Sequence, residues 1–195
     1  MKPRTIESEQ TRRIQLAEAT IHEIGEAGSL NVTVGKIAKR AGVSSGLAFH
    51  YFGDKTHLFL AAMRHVMSLY SAEVRGALLT AQTPRDRLTA LIGANFSTSN
   101  FRPEVISAWL NFYVLAQSSE EARRLLAVYH RRLQSNLVHD LRPLVGDKAP
   151  AIADRIGGLI DGLYLRSATL SSARDGRPAM NQVLATLEAE IEHAK

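Results

Sequence analysis

Apolar residues recur at spacings of three and four almost from end to end of this chain. Ile14, Ala17, Ile21 and Ile24 form the first stripe, the mark of a helix with one buried face. Gly28 ends it. Thr33 is placed to cap a short second helix, with Val34, Ile37, Ala38 and Ala41 turned inward. Gly42 stops that helix. Ser44 or Ser45 caps a third short helix that ends near Gly53, and Asp54 caps a fourth carrying Leu58, Phe59, Ala62 and Val66.

Longer helices follow. Thr83-Pro84 sets proline at the first helical position behind a capping residue, opening a helix with Leu88, Leu91, Ile92 and Phe96. Pro103 opens another, through Trp109 and Phe112. Ser118 and Glu121 have capping-box spacing ahead of a long helix with Leu125, Leu126, Tyr129, Leu133 and Leu137, and Pro143 and Gly146 mark its end. Two more helices are predicted, over about 149–172 and 178–193, separated by ARDGRP. No strand pair, repeat or low-complexity segment interrupts the pattern. The predicted fold class is all-α, with about nine helices. The first three helices are short and closely spaced, and the later ones are longer and more apolar. A small N-terminal head, 1–55, and a larger helical body, 56–195, are expected to divide inside the fourth helix.

Composition narrows the class. Of 195 residues, 45% are hydrophobic and 22% charged, which fits a globular chain and not a disordered one. There is no cysteine, so disulfide and thiolate chemistry are excluded and the reducing cytoplasm is the simplest compartment. The opening MKPRTIESEQTRR lacks the apolar core of a signal peptide. The longest mostly apolar run, Val105 to Ala116, is broken by Ser107 and Asn111. A membrane span needs about 20 apolar residues, so this run is expected to be a buried helix and no membrane partner is implied. The formal net charge of +5 permits an anionic partner. It is spread along the chain, at +2 for residues 1–55 and +3 for the remainder. Any case for nucleic acid must therefore rest on a local motif.

That motif is TVGKIAKRAGVSSGLAFHYF. Two short helices flank a glycine turn at Gly42-Val43-Ser44, the layout of a helix-turn-helix. Small Ala38 and Ala41 let the helices cross closely. Val43 and Leu47 plug the angle between them. The second helix then presents the Ser45, Gly46, Ala48, Phe49 and His50 region outward, with the flank of Leu47 near the bases, and a helix so placed fits the major groove. Thr33 and Ser44, at helix N-termini, suit phosphate. Lys36, Lys39, Arg40 and Lys55 add positive charge, a net of +3 over 33–55 against Asp54, and Tyr51 adds a phenol donor. Phe52 is expected in the core. Phe49 either packs or touches a thymine methyl.

The stretch from about residue 11 to 60 resembles the DNA-binding head of the TetR family of bacterial repressors. The resemblance is carried by the glycine ending the first helix, the Thr33 cap, IAKRAGVS, the G-x-x-x-HYF run and the lysine opening the fourth helix. Phe49 stands where that family often has tyrosine. The resemblance implies double-stranded operator DNA as a partner, a small-molecule effector bound in the body, and a homodimer through the last two helices. Their sequence is compatible. Ile152, Ile156, Leu159, Ile160, Leu163 and Tyr164 form a broad apolar surface, Gly157, Gly158 and Gly162 allow close approach, and Val183, Leu184, Leu187 and Ile191 line the last helix.

The body also carries candidate ligand chemistry. Trp109, Phe112 and Tyr113 share one helix face, Tyr129 and Tyr164 lie on later helices, and Phe96 precedes them. Asp161 interrupts the apolar stretch LIDGLYL. Aromatic faces with one carboxylate suit a quaternary ammonium ion. The same stripe serves equally as ordinary core, and Asp161 could instead cap, or pair with Arg155, Arg166 or a partner subunit. AWLNFYVLAQ, YHRRLQSNLVHDLRP and LIDGLYLRSA resemble the choline-responsive members of the same family, which control glycine betaine synthesis. That resemblance implies choline as effector and genes for choline uptake and oxidation as targets. A repressor sensing another lipophilic cation or metabolite is the alternative. A helical enzyme is a more distant one. Its candidate acid–base groups, Asp161, His130 and His139, come with no H-E-x-x-H pattern and no phosphate loop. No metal ligand set or cofactor motif is present in the sequence.

Overall fold

The structure, a computed structural model, describes residues 6–169 and 175–194. All regular structure in that span is helical. The α-helices are α1 (Ile6–Ala27), α2 (Val34–Arg40), α3 (Ser45–Phe52), α4 (Lys55–Leu78), α5 (Pro84–Asn95), α6 (Pro103–Ser118), α7 (Glu120–Val145), α8 (Ala149–Thr169) and α9 (Arg177–Ala194), with one 3-10 turn at Gly146–Lys148. The end expected for α8, at 172, lies outside the described residues.

Caps set most of the boundaries. The Thr33 and Asp54 side chains accept from the backbone N–H of Lys36 and His57, as their sequence positions predict. Of the two serines proposed for α3, Ser44 is the cap, accepting from Leu47. Thr83 and Asp86 form a reciprocal capping box at α5. The box expected at Ser118 and Glu121 is displaced by one residue: Ser119 caps α7 through the N–H of Ala122. Glu121 turns away instead, to Arg64 and His57 of α4. Pro143 sits inside the last turns of α7, and the helix stops at Gly146, whose φ of 59° suits glycine.

Helix α4 is the central element. It packs against α1, α3, α5, α6 and α7, which is why Leu58, Phe59, Leu60, Ala62, Met63, Val66 and Met67 are buried on more than one face. Helix α1 lies on α4 and α6, α7 pairs with α5, α6 and α8, and α9 closes against α8 and α5. A single apolar cluster runs from Leu16 through Leu60 and Ile106 to Ile191. Ile14 departs from its predicted stripe. It is 39% exposed, whereas Leu16 is fully buried, because the face of α1 that meets α4 and α6 runs through Leu16, Ala17, Thr20, Ile21 and Ile24.

A close backbone contact joins α1 to α6. A Cβ added at Gly25 would come within 2.7 Å of Glu104 Cα, Cβ and Cγ. Glycine here lets α1 rest directly on the start of α6.

Candidate functional site

Two regions hold the residues singled out by the sequence. The first is the α2–α3 pair. Gly42 adopts φ 66° between the helices, and the N–H of Val43 donates to the Ala38 carbonyl at 3.0 Å. The turn is thereby locked and α3 held across α2. Ala48, expected to project outward with its neighbours, is instead buried on the inner side of α3, where the helix crosses α2, and Tyr51 and Phe52 pack against the core as half-buried side chains. Ser45, Gly46, Phe49 and His50 are exposed, and Leu47 is half-buried. Phe49 is 48% exposed, so it is not a core residue. Like His50, it lies on the exposed side of the helix.

The charges around this face differ from the sequence expectation at one position. Lys36 and Lys39 are exposed. Lys55 is half-buried, its Nζ 5.3 Å from the centre of the Phe59 ring. Arg40, expected at phosphate, is engaged within the fold. Its Nε donates to Glu23 at 2.6 Å and its Nη2 to Glu26 at 2.7 Å, both on α1. The bond to Glu23 is the main reason the guanidinium holds its proton more tightly than an ordinary arginine. Sequence reasoning missed Arg13, which donates through Nη1 to the Tyr51 carbonyl at 2.8 Å. The guanidinium also lies over the Tyr51 and Phe52 rings, at 5.1 and 5.3 Å. It fastens the end of α3 to α1. Only the paired Arg12-Arg13 on the first helix hinted at it.

The second region is a cavity of about 30 Å³ between α4, α5, α6, α7 and α8, open to solvent at one rim. Trp109, Tyr113, Tyr129, Tyr164 and Asp161, all singled out in the sequence, line it. Trp109 and Tyr129 form its aromatic floor, with ring centres 4.6 Å apart. Tyr113 is 6.4 Å from Trp109, and its phenol meets His130 Nε2 at 2.9 Å. Asp161 stands at the rim, 36% exposed, 3.6 Å from His130. It is neither fully buried nor paired with Arg155, which bonds Glu190 instead. Phe96 and Phe112 do not reach the cavity. Phe112 is buried behind Trp109, and Phe96 packs on Phe101 and Tyr164.

Tyr70, Asn95, Asn100 and Leu110 complete the walls and were not anticipated. Tyr70 lies one helical turn beyond Val66 and Met67 on α4, so its inward direction was legible, but its meeting with Tyr129 depends on how α4 crosses α7. Burial pushes the phenols of Tyr70, Tyr113, Tyr129 and Tyr164 above their ordinary range, and the charge of Asp161 adds to the effect on Tyr113. The cavity is therefore an aromatic box whose phenols stay neutral, with one carboxylate at its edge. Such a box attracts a cation with little hydration of its own. Among the described residues no cluster of His, Cys, Asp or Glu is arranged to hold a metal ion, and no helix is long and apolar enough to cross a membrane.

Comparison with known proteins gives these two regions a common setting. Residues 16–62 match the family of bacterial regulatory proteins of the tetR type, and residues 84–193 match the BetI-type transcriptional repressor C-terminal family. The chain is 49% identical over 173 residues to the HTH-type transcriptional regulator BetI of Brucella anthropi, covering 88% of this chain and 89% of that protein. It is 46% identical over 165 residues to the regulator of the same name from Agrobacterium fabrum, covering 84% and 80%. Among solved structures, a transcriptional regulator from Pseudomonas aeruginosa is similar with a TM-score of 0.79 at 29% identity, covering 94% of this chain and 91% of that one. A protein from Saccharomonospora viridis, described as a transcriptional regulator and solved in complex with choline, has a TM-score of 0.77 at 25% identity and covers 95% and 97%. These are DNA-binding regulators and not enzymes. The chain belongs to the TetR family of DNA-binding transcriptional repressors, with a C-terminal region of BetI type.

Proposed function

We propose that this protein is a homodimeric cytoplasmic repressor of genes for choline uptake and glycine betaine synthesis, and that choline releases it from its operator. The observation that carries the choline reading is the cavity: Trp109, Tyr113, Tyr129 and Tyr164 around one space, with Asp161 at the rim. A trimethylammonium head is too poorly hydrated to need hydrogen bonds and is held by aromatic faces and a nearby negative charge. The solved relative bound to choline supports the same ligand.

Residues 1–55 form the DNA-binding part and 56–195 the effector-binding and dimerisation part. Helix α3 enters the major groove, with Ser45, Gly46, Leu47 and Phe49 toward the bases. Thr33, Lys36, Ser44, His50, Tyr51 and Lys55 face phosphate. The ion pairs of Arg40 with Glu23 and Glu26 make it a brace for this surface. Two copies pair through α8 and α9. In support, Leu165 is 58% exposed on α8, and added Cβ atoms at Gly157, Gly158 and Gly162 would meet open space. The dimer then reads two half-sites about one helical turn, or a small multiple of it, apart.

Choline exceeds the space of about 30 Å³ now present. Binding must part the cavity walls, and α4 is one of them. Helix α4 begins at Lys55, directly after the DNA-reading unit, so wall movement and head separation are linked through one rigid element. A coupling of about 1–3 kcal/mol is typical of such links. The test is a gel-shift titration on the DNA upstream of the chain's own gene. Saturable binding that resists competitor and is reversed by choline is expected. Saturable binding that choline leaves untouched rejects the effector assignment, and absence of specific binding at moderate salt rejects the operator assignment.

A further inference from the structure

We propose that Tyr70 reads the hydroxyl end of a quaternary-ammonium alcohol, and that Glu73, behind Asn100, turns away the carboxylate that oxidation of that alcohol would produce. The inference rests on the cation-cage reading above and assigns the opposite end of the same cavity.

Tyr70 Oη is buried and has no hydrogen-bond partner, although the residue lines the cavity. Buried polar groups are almost always paired, and leaving one unpaired is costly. The Asn95 amide shares the wall; its Nδ2 gives one hydrogen to the Leu91 carbonyl at 2.8 Å, and its other faces the Tyr70 oxygen as a donor outside good hydrogen-bond geometry. Two other cavity phenols are engaged. Tyr164 donates to the Asn95 carbonyl, and Tyr113 meets His130 at 2.9 Å. Tyr70 therefore retains at least its O–H donor, facing the cavity. Its ring touches Tyr129, at 6.0 Å between centres, and Tyr129 in turn stacks near Trp109. A cation seated on the Trp109–Tyr129 floor can thus extend a short arm toward Tyr70.

The charge behind that end favours a neutral arm. Asn100 Nδ2 donates to Glu73 Oε2 at 2.7 Å and to the Ala94 carbonyl at 2.9 Å, and Ser99 Oγ donates to the same Glu73 oxygen at 2.8 Å. Glu73 thus sits one residue behind the cavity wall. Among the described residues lining the cavity there is no lysine or arginine. A ligand carboxylate would meet negative charge there without a compensating cation, whereas a hydroxyl would satisfy Tyr70. The site is thereby suited to sense an alcohol and ignore the acid made from it.

The experiment titrates wild-type protein, Tyr70→Phe, Tyr129→Phe and Glu73→Gln with choline, ethyltrimethylammonium (choline without its hydroxyl) and glycine betaine. The readouts are calorimetry and fluorescence of the single tryptophan, Trp109, on the cavity wall. Wild type is expected to prefer choline over ethyltrimethylammonium by about three- to tenfold, the worth of one hydrogen bond. Tyr70→Phe should erase that preference by weakening choline alone, and Tyr129→Phe should retain it. Glu73→Gln should strengthen glycine betaine relative to choline. A preference that survives Tyr70→Phe, one that vanishes in Tyr129→Phe instead, or loss of both cations in Tyr70→Phe overturns the assignment of Tyr70. Unchanged betaine discrimination in Glu73→Gln overturns the role of Glu73. Wild type that binds neither cation overturns the cation-cage reading itself.

Discussion

Arg40 and Glu23 face each other across the α1–α2 junction, with Nε donating to the carboxylate at 2.6 Å. An arginine in a DNA-reading unit is ordinarily a candidate phosphate contact, but this one is occupied twice over, because Glu26 takes its other edge. Arg40→Gln should lower the melting temperature while leaving the salt dependence of operator binding unchanged. Lys36→Gln should do the reverse, keeping stability and reducing the slope of log affinity against log salt by about one. Fluorescence anisotropy on labelled operator at several salt concentrations separates the two. A slope that falls in Arg40→Gln places the guanidinium on DNA.

Trp109 contributes both the largest ring of the cavity and part of the surrounding core, so truncation to alanine would confuse folding with binding. Trp109→Leu keeps most of the volume and removes the extended π face. Choline should bind about three- to thirtyfold more weakly, in line with about 0.5–2 kcal/mol for a cation–π contact. Operator affinity without choline should be unchanged. Calorimetry and gel shift on one preparation check both halves.

The four raised phenols give the pH dependence a definite sign. Tyr70, Tyr113, Tyr129 and Tyr164 all lie above their ordinary value of 10.0 in the folded chain, burial being the main cause. A raised value means that the folded state keeps protons the unfolded state releases. Their contribution is complete below pH 10.0 and is lost as pH climbs past it. Asp54 works in the opposite direction. Its value is lowered from 3.8, chiefly by the N–H of His57, so its contribution is present above that pH and is lost as acid protonates the cap. Circular dichroism against pH should show alkaline unfolding accompanied by tyrosinate absorbance from these four residues. Tyrosinate appearing well before the loss of helix would contradict their burial. On the acid side, Asp54→Asn should flatten the stability loss near pH 3.8.

Gly25 lies where α1 and α6 touch, and any side chain there must displace Glu104 backbone and side chain alike. Gly25→Ala should destabilise the protein by about 1–3 kcal/mol, the usual effect of overpacking. It should also alter operator affinity and choline release together, since α1 carries the brace to Arg40. Denaturant melts and gel shifts test this. Full stability with ordinary regulation would mean that the junction yields freely.

Much of this arrangement was legible in the sequence because caps and stripes are local. Thr33, Ser44 and Asp54 announce their helices within four residues, and the G-x-x-x-HYF run fixes which side of α3 is exposed. The aromatic set on α6 and α7 was legible for the same reason, since Trp109 and Tyr113 are one turn apart. What was hidden depends on how distant helices cross. Nothing near Arg40 says that Glu23 and Glu26 will reach it, and nothing near Tyr70 says that α4 brings its ring against Tyr129. Phe96 and Phe112 mark the converse limit. Periodicity assigns them to the inner side of their helices, but only packing decides that they stop behind the cavity wall.

The size of the cavity has a consequence in time. Space of about 30 Å³ admits about two waters, at roughly 10–15 Å³ each, and far less than a quaternary ammonium. A ligand larger than this space must wait for the walls to part. In stopped-flow mixing, the observed rate should level off at high choline instead of rising in proportion to it. The plateau would report the opening of the walls, and the speed of the genetic response to choline would be set by the protein's own breathing.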